Sequence, residues 1–249
     1  MSMSNCFKII FLGSFLFSLS LSAEDYVVGV EDLNYLPFAE VENGQYKGFF
    51  RDLLDKFGED SAHNFSYKPM PIKRLMDQMI SKKIDLKIPD SSFWASDAKE
   101  GKGVVYSQPI TIYIDGIMVT PEKKGAGYDT IKSIATVRGF TPFPYMKAIE
   151  AGRISVAETS TLESVKKMVV MGRTDGGFVN VSVMNRLLKD VWNTPGAMVF
   201  DEELPDARSP ISVSTAMHPE LIKEFDTWLA NNSSWVQQLR EKYEVLTPE

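Results

Sequence analysis

Residues 109–125 read PITIYIDGIMVTPEKKG, a run rich in β-branched residues, which favour extended structure. An ordinary strand has about 5–6 residues, so this run is too long for one strand of a compact sheet. A run of this length can leave one sheet and enter another. We therefore interpret it as a crossing between two lobes of an α/β protein.

The segments before this crossing alternate between strand-like and helix-like patterns. The clearest helix pattern is FFRDLLDKFGEDS (49–61), in which five apolar residues fall on one face. The order β-α-β-α-β predicts a parallel sheet covered by helices. The other segments are DYVVGVED (25–32), HNFSYKPM (63–70) and IDLKIPD (84–90) as strands and PIKRLMDQMISKK (71–83) as a helix.

The part after the crossing repeats this alternation with turns of its own, and a strand and two amphipathic helices close the chain. We therefore expect a second lobe with a similar sheet. The predicted first lobe comprises residues 24–112 and 205–249, and the second comprises 113–204 with the crossovers. The segments of the second lobe are SIATVRGFTPFPYMKAIEAG (133–152), ISVAETS (154–160), TLESVKKMVVMGR (161–173) and DGGFVNVSVMNRLL (175–188).

Residues 1–23 have the pattern of a cleaved secretory signal peptide, with Lys8 before an apolar stretch and small residues before Ala23. The alternative is a membrane anchor, but serines interrupt the stretch, and about 20 apolar residues are needed to span a bilayer. Cleavage after Ala23 would remove the only cysteine, Cys6, and change the formal charge from −6 to −7. We expect export to the periplasm.

The composition excludes several classes of protein. A mildly acidic chain without basic clusters does not suit nucleic acid. His63 and His218 are far apart in the sequence, so no histidine metal site is expected, and no motif indicates a cofactor.

Several of these segments resemble the periplasmic amino-acid-binding group of extracellular solute-binding proteins, family 3. VVGVEDLNYLPFAEVENGQYKGFFRDLL is similar to that family's first strand, Pro-Phe loop, glycine turn and first helix. VVYSQPITIYIDGIMV is similar to its Phe-Ser-x-Pro turn and crossover. KKIDLKI, GRTDGGFVN and REKYEV resemble further family segments in the same order. The resemblance implies a two-lobed type II "Venus flytrap", each lobe a mainly parallel sheet flanked by helices, with two crossover hinges.

The chain departs from that family where an amino acid would be held. Family members clamp the ligand's carboxylate with an arginine in a Thr-x-x-Arg segment, because a guanidinium fits a carboxylate. Here the threonine position falls on Trp94, and the arginine position falls on Asp97 or Glu100. The aspartate that often binds the ammonium is replaced by Asn180. A free α-amino acid held in the family's usual way is therefore doubtful.

In the first lobe, the resemblance indicates Tyr35, Phe38, Asp90, Ser91 and Trp94 as candidate ligand-binding residues. The aromatic residues could cover the ligand or pack the loops. Asp90 and Ser91 follow the third strand, and Asp90 could hold an amine or cap a turn.

Arg74 and Arg138 are the candidate replacements for the missing arginine, although the alternative for Arg74, an exposed helix residue, is slightly favoured. Gly139 to Thr141 form a turn before a predicted helix, where backbone N–H groups could hold an anion with Arg138. Lys99, Glu100 and Lys102 are expected to be solvated. Either an arginine holds an anionic group, or the ligand is neutral or cationic.

The resemblance implies a monomeric periplasmic protein that captures a small polar solute, amino-acid-like or an amine. It would deliver that solute to the membrane permease of an ABC importer, without catalysis. One alternative keeps the fold and regulates a membrane sensor. Another is a periplasmic dehydratase, which would need an acid in the cleft, and Glu158 and Asp90 are its candidates.

Overall fold

The structure, a computed structural model, describes residues 24–246 and contains twelve strands and eight α-helices. The predicted signal peptide lies outside the described residues. The strands are β1 Asp25–Glu31, β2 Glu40–Glu42, β3 Gln45–Lys47, β4 Asn64–Met70, β5 Leu86–Asp90, β6 Val105–Tyr106, β7 Thr111–Val119, β8 Ser133–Val137, β9 Ser155–Thr159, β10 Gly176–Asn180, β11 Val199–Phe200 and β12 Ala207–Thr215. The helices are α1 Phe49–Ser61, α2 Ile72–Ile80, α3 Ser96–Lys99, α4 Met146–Glu150, α5 Leu162–Val170, α6 Val181–Arg186, α7 Pro219–Asn231 and α8 Ser233–Tyr243.

The first group of strands has the order β4-β1-β5, and both pairings are parallel. The predicted β-α-β-α-β order is confirmed, with α1 and α2 as the connecting helices. The apolar face of α1 is fully buried, since Phe49, Phe50, Leu53, Leu54 and Phe57 are at most 1% exposed. Burying each such side chain stabilises the fold by roughly 1.5–3 kcal/mol.

The second group has the order β7-β10-β8-β9, in which β8 pairs in parallel with β9 and β10. Two long strands join the groups. β7 is antiparallel to β10, and β12 pairs with β7 through residues 207–211 and with β5 through Ser212 and Ser214. The predicted crossing in 109–125 therefore corresponds to β7, and β12 is the second link.

Within residues 24–246, no helix is both long enough and apolar enough to cross a membrane.

Candidate functional site

A cavity of about 360 Å³ lies where the two groups of strands meet. The first group supplies strand ends, the face of α2 and the loop after β5, and the second supplies β10 and the loop after β8. Its walls are Glu31, Tyr35, Ile72, Lys73, Met76, Asp77, Lys87, Trp94, Ala95, Tyr113, Asp115, Gly139, Phe140, Thr141 and Phe178. Ligands of open parallel sheets commonly bind beyond the carboxyl ends of the strands, and this cavity fits that rule.

Glu31 brings a carboxylate to the cavity from the last position of β1. It is 8% exposed, and no described side chain donates a hydrogen bond to it or forms an ion pair with it. Burial raises the pKa of Glu31 from its ordinary 4.5 to about 7, while the charge of Lys87 lowers this pKa and that of Asp90 raises it. Burial raises the pKa values of three tyrosines around Glu31, and its charge adds to the effect; they are Tyr35, Tyr46 and Tyr113.

Asp115 supplies a second buried carboxylate from β7. It lies directly opposite Asn180 of β10, whose Nδ2 donates to Asp115 Oδ1 at 3.1 Å. The amide oxygen of Asn180 is used elsewhere, since it accepts from the N–H of Val183 and caps α6. Burial raises the pKa of Asp115 to about 7, the hydrogen bond from Asn180 opposes this, and the charge of Glu31 adds to it.

Asp90 is the centre of a buried ionic cluster under the cavity. Its Oδ1 accepts from Lys87 Nζ at 3.1 Å and from Lys99 Nζ at 3.2 Å, and its Oδ2 accepts from the Ser214 hydroxyl at 2.7 Å. The two lysine side chains are at most 4% exposed. The prediction that Lys99 is solvated was therefore wrong, because α3 turns it inward onto Asp90 and the Ser91 carbonyl.

Aromatic rings form much of the cavity wall. Trp94 lies 5.8 Å from the Tyr113 ring, and its own ring is 5.6 Å from Lys87 Nζ. Tyr35 meets Phe140 of the second group edge to face, with ring centroids 5.8 Å apart. Such rings can stack on a flat ligand or cover a cation.

The two groups of strands touch across the cavity. A Cβ added to Gly139 would lie 3.0 Å from Ile72 Cγ2 of α2, and Gly139 has φ +99°. Lys73 Nζ lies 3.6 Å from Glu158 of β9, which also pairs with Arg138 at 3.5 Å. The two groups therefore meet at Gly139, a residue without a side chain.

A Gly139→Ala variant is expected to close less completely than the wild type. Gly152→Ala is the matched control, because Gly152 also has positive φ but no atom within 4 Å of an added Cβ. Both variants carry backbone strain of roughly 1–2 kcal/mol, and only the first obstructs the cleft. Small-angle scattering should give Gly139→Ala the larger radius of gyration, and equal radii would show that Gly139 does not limit closure.

Of the predicted site residues, Tyr35, Trp94 and Thr141 line the cavity. Asn180 lies behind the wall, against Asp115. The remaining predicted residues are not part of the wall. Phe38 packs between Phe50 and Tyr113, Asp90 and Ser91 are buried beneath, and Arg74 and Arg138 are exposed.

The helix expected directly after Thr141 begins later. A 3₁₀ turn, Phe143–Tyr145, precedes α4, which has only five residues. The N–H groups of residues 139–141 therefore do not form a helix start, and the reasoning that gave an anion site there does not hold.

Besides the exposed Lys73 and Asp77 of α2, three buried charged wall residues were missed from the sequence, namely Glu31, Lys87 and Asp115. Each left a signal, because each interrupts an apolar strand pattern: VVGVE, DLKIP and YIDGI. A charge inside a buried strand needs a partner or a ligand, and that rule would have singled out all three.

The arrangement of strands, helices and cavity is that of a known protein family. Residues 26–245 match the family described as bacterial extracellular solute-binding proteins, family 3. The chain belongs to this family. No curated protein sequence matches it.

Solved structures of amino-acid-binding proteins and of a sensor domain have the same architecture. A histidine kinase sensor domain similar to periplasmic binding proteins has a TM-score of 0.72 at 17% identity, covering 90% of this chain and 98% of that one. The arginine-, lysine-, histidine-binding protein ArtJ from Geobacillus stearothermophilus has 0.68 at 20%, covering 88% and 95%. The ancestral amino-acid-binding protein AncCDT-1, a precursor of cyclohexadienyl dehydratase, has 0.68 at 20%, covering 88% and 95%. The predicted two-lobed type II fold is confirmed.

Proposed function

We propose that this family member is a periplasmic receptor that encloses one small organic solute between its lobes and delivers it to an ABC importer. The observation that carries the proposal is the cavity itself, whose walls come from both groups of strands. Its volume is at the lower end of the roughly 300–1,000 Å³ typical of small-molecule sites.

The predicted lobes, residues 24–112 with 205–249 and residues 113–204, would rotate about β7 and β12. Closure then brings Tyr35 against Phe140 and Ile72 against Gly139. A ligand drives such closure only if it binds the closed form more tightly than the open form. Aromatic rings from both lobes give the ligand this difference in affinity, because they contact it only in the closed form and would lie in water in an open cleft.

Thermal unfolding of the purified protein against amino acids, amines, carboxylic acids and sugars tests the binding step. A ligand at 100 times its Kd should stabilise the protein by about 2.7 kcal/mol, a shift of roughly 5–10 °C. Trp94→Ala should lose the shift. Phe93→Ala is the matched control, because Phe93 is adjacent, 55% exposed and outside the cavity wall. If no solute class shifts the wild type, or if Trp94→Ala responds fully, the proposal is wrong.

Delivery is tested separately, by uptake of the identified solute in cells lacking the chain. If these cells no longer take up the solute, the result supports delivery to an importer. Unchanged uptake with a lost transcriptional response would favour signalling, the role suggested by the histidine kinase sensor domain with the same fold. The dehydratase alternative has less support, because its candidates Glu158 and Asp90 are outside the cavity wall.

A further inference from the structure

The buried charges around the cavity do not balance. Three carboxylates are present, on Glu31, Asp90 and Asp115, and only two ammonium groups, on Lys87 and Lys99. At the rim, the exposed pair Lys73 and Asp77 cancels in charge. One positive charge would therefore complete the site. We propose that the ligand is an amine with a single positive charge, a compact apolar body and no carboxylate. This inference rests on the solute-binding function proposed above.

Within the described part of the chain, the cavity has no cation that is free to hold a carboxylate. Among the described residues no arginine lines it. Lys87 does line it, but its ammonium group already donates to Asp90 and to the carbonyl of Pro89. Lys73 has a side chain 65% exposed and lies 3.6 Å from Glu158. A buried carboxylate without a dedicated cation would be strongly disfavoured.

The cavity does have free acceptors for an ammonium group. The Glu31 carboxylate accepts no hydrogen bond from any described side chain, and Asp115 accepts one, at Oδ1 from Asn180. The Tyr113 hydroxyl is buried and has no partner within residues 24–246. An ammonium group has three N–H donors and no acceptor, so it complements this set of oxygens. A neutral hydroxyl or amide ligand would leave one buried carboxylate without a counter-charge.

The rest of the wall fits an apolar body. Trp94, Phe140 and Phe178 give aromatic surface from both lobes, and Ile72 and Met76 add aliphatic surface from α2. This surface would pair with the apolar part of the ligand, while Glu31 and Asp115 hold its charged end. A diamine would bring one positive charge more than the buried carboxylates can match, and its second ammonium group would lie against these rings.

Four related compounds test the inference by titration calorimetry at pH 8: phenethylamine, phenylalanine, 3-phenylpropionate and putrescine. The first three share a ring and differ in their charged groups. Phenethylamine is expected to bind at least 100-fold more tightly than the other three. Phenylalanine binding as well as phenethylamine would overturn the inference and leave the receptor function standing. If none of the four compounds binds but other solutes stabilise the protein, the inference is also wrong. If no solute of any class stabilises the protein, both proposals are wrong.

A pair of variants assigns the effect to the cavity. Glu31→Gln should weaken phenethylamine binding at least 30-fold, because it removes one of the two carboxylates. Asp32→Asn is the matched control, since Asp32 is the next residue, is exposed and is not part of the wall. An equal loss in both variants would point to long-range attraction and overturn the assignment to Glu31.

Discussion

An Asp90→Asn variant is expected to lose about 3–5 kcal/mol of unfolding free energy, because the change removes the carboxylate to which two buried lysines donate. Asp90 is fully buried and accepts from both Lys87 and Lys99. Burial already lowers the pKa of Lys99, and the charge of Asp90 opposes that shift. For a chain of this length the loss corresponds to a fall in Tm of roughly 10 °C, measurable by calorimetry.

Asp97→Asn is the control for this experiment, since Asp97 is an exposed acid seven residues further along the same segment. Its Tm should change little. A double variant, Asp90→Asn with Lys99→Met, should recover on the order of 1–2 kcal/mol, because one unpaired ammonium is gone. If Asp90→Asn and Asp97→Asn have equal Tm values, the cluster does not hold the loop after β5 in place.

The fold was predictable from the sequence because its signals are local and repeated. The apolar face of α1 and the alternation of strands and helices each depend on neighbouring residues. The first and last residues of the two crossing strands, β7 and β12, were harder to predict. β12 begins at Ala207 and contains Pro210, which interrupts its apolar pattern, so the start of this strand cannot be read from the sequence.

The site was less predictable because its charges depend on contacts between distant segments. Lys99 has the pattern of a solvated residue in a charged loop, and only the fold brings it to Asp90. Asn180 seemed to remove an acid from the site. The structure has Asp115 directly across the sheet from it, so a carboxylate is present on the neighbouring strand instead. A resemblance that compares one position at a time cannot show such an exchange.

Replacing Glu31 by glutamine is expected to stabilise the empty protein at pH 8 by roughly 3 kcal/mol. The pKa of Glu31 rises from 4.5 in the unfolded chain to about 7 in the fold, and each unit corresponds to about 1.36 kcal/mol. As pH increases from 4.5 to 7, the unfolded state loses this proton while the folded state keeps it. Folding stability therefore falls through this window, and the full cost is present above pH 7.

Glutamine does not titrate, so the benefit of the variant should depend on pH. Chemical denaturation at pH 5 should give a difference from the wild type much smaller than at pH 8. Asp32→Asn again serves as the control and should show no such trend. Equal stabilisation by Glu31→Gln at both pH values would indicate improved packing and would contradict a buried titrating carboxyl.

The same carboxyls make ligand affinity depend on pH in the opposite direction to stability. An amine binds the ionised forms of Glu31 and Asp115, whose pKa values are both about 7 in the empty protein. Below pH 7 each carboxyl that must lose a proton weakens binding by about tenfold per pH unit, so Kd should rise at least about 100-fold between pH 8 and pH 5. Burial is the main cause of both raised pKa values. The charges of Lys87 and Asp90 on β5 act further on Glu31, and the hydrogen bond from Asn180 and the charge of Glu31 act on Asp115. Burial also raises the pKa values of the neighbouring tyrosines Tyr35, Tyr46 and Tyr113. A Kd for phenethylamine that stays constant from pH 5 to pH 8 would show that its ammonium does not meet these acids. The buried carboxyls that lower the stability of the empty protein above pH 7 would thus be the groups that hold the ligand there, which is why the more stable Glu31→Gln protein should also be the weaker binder.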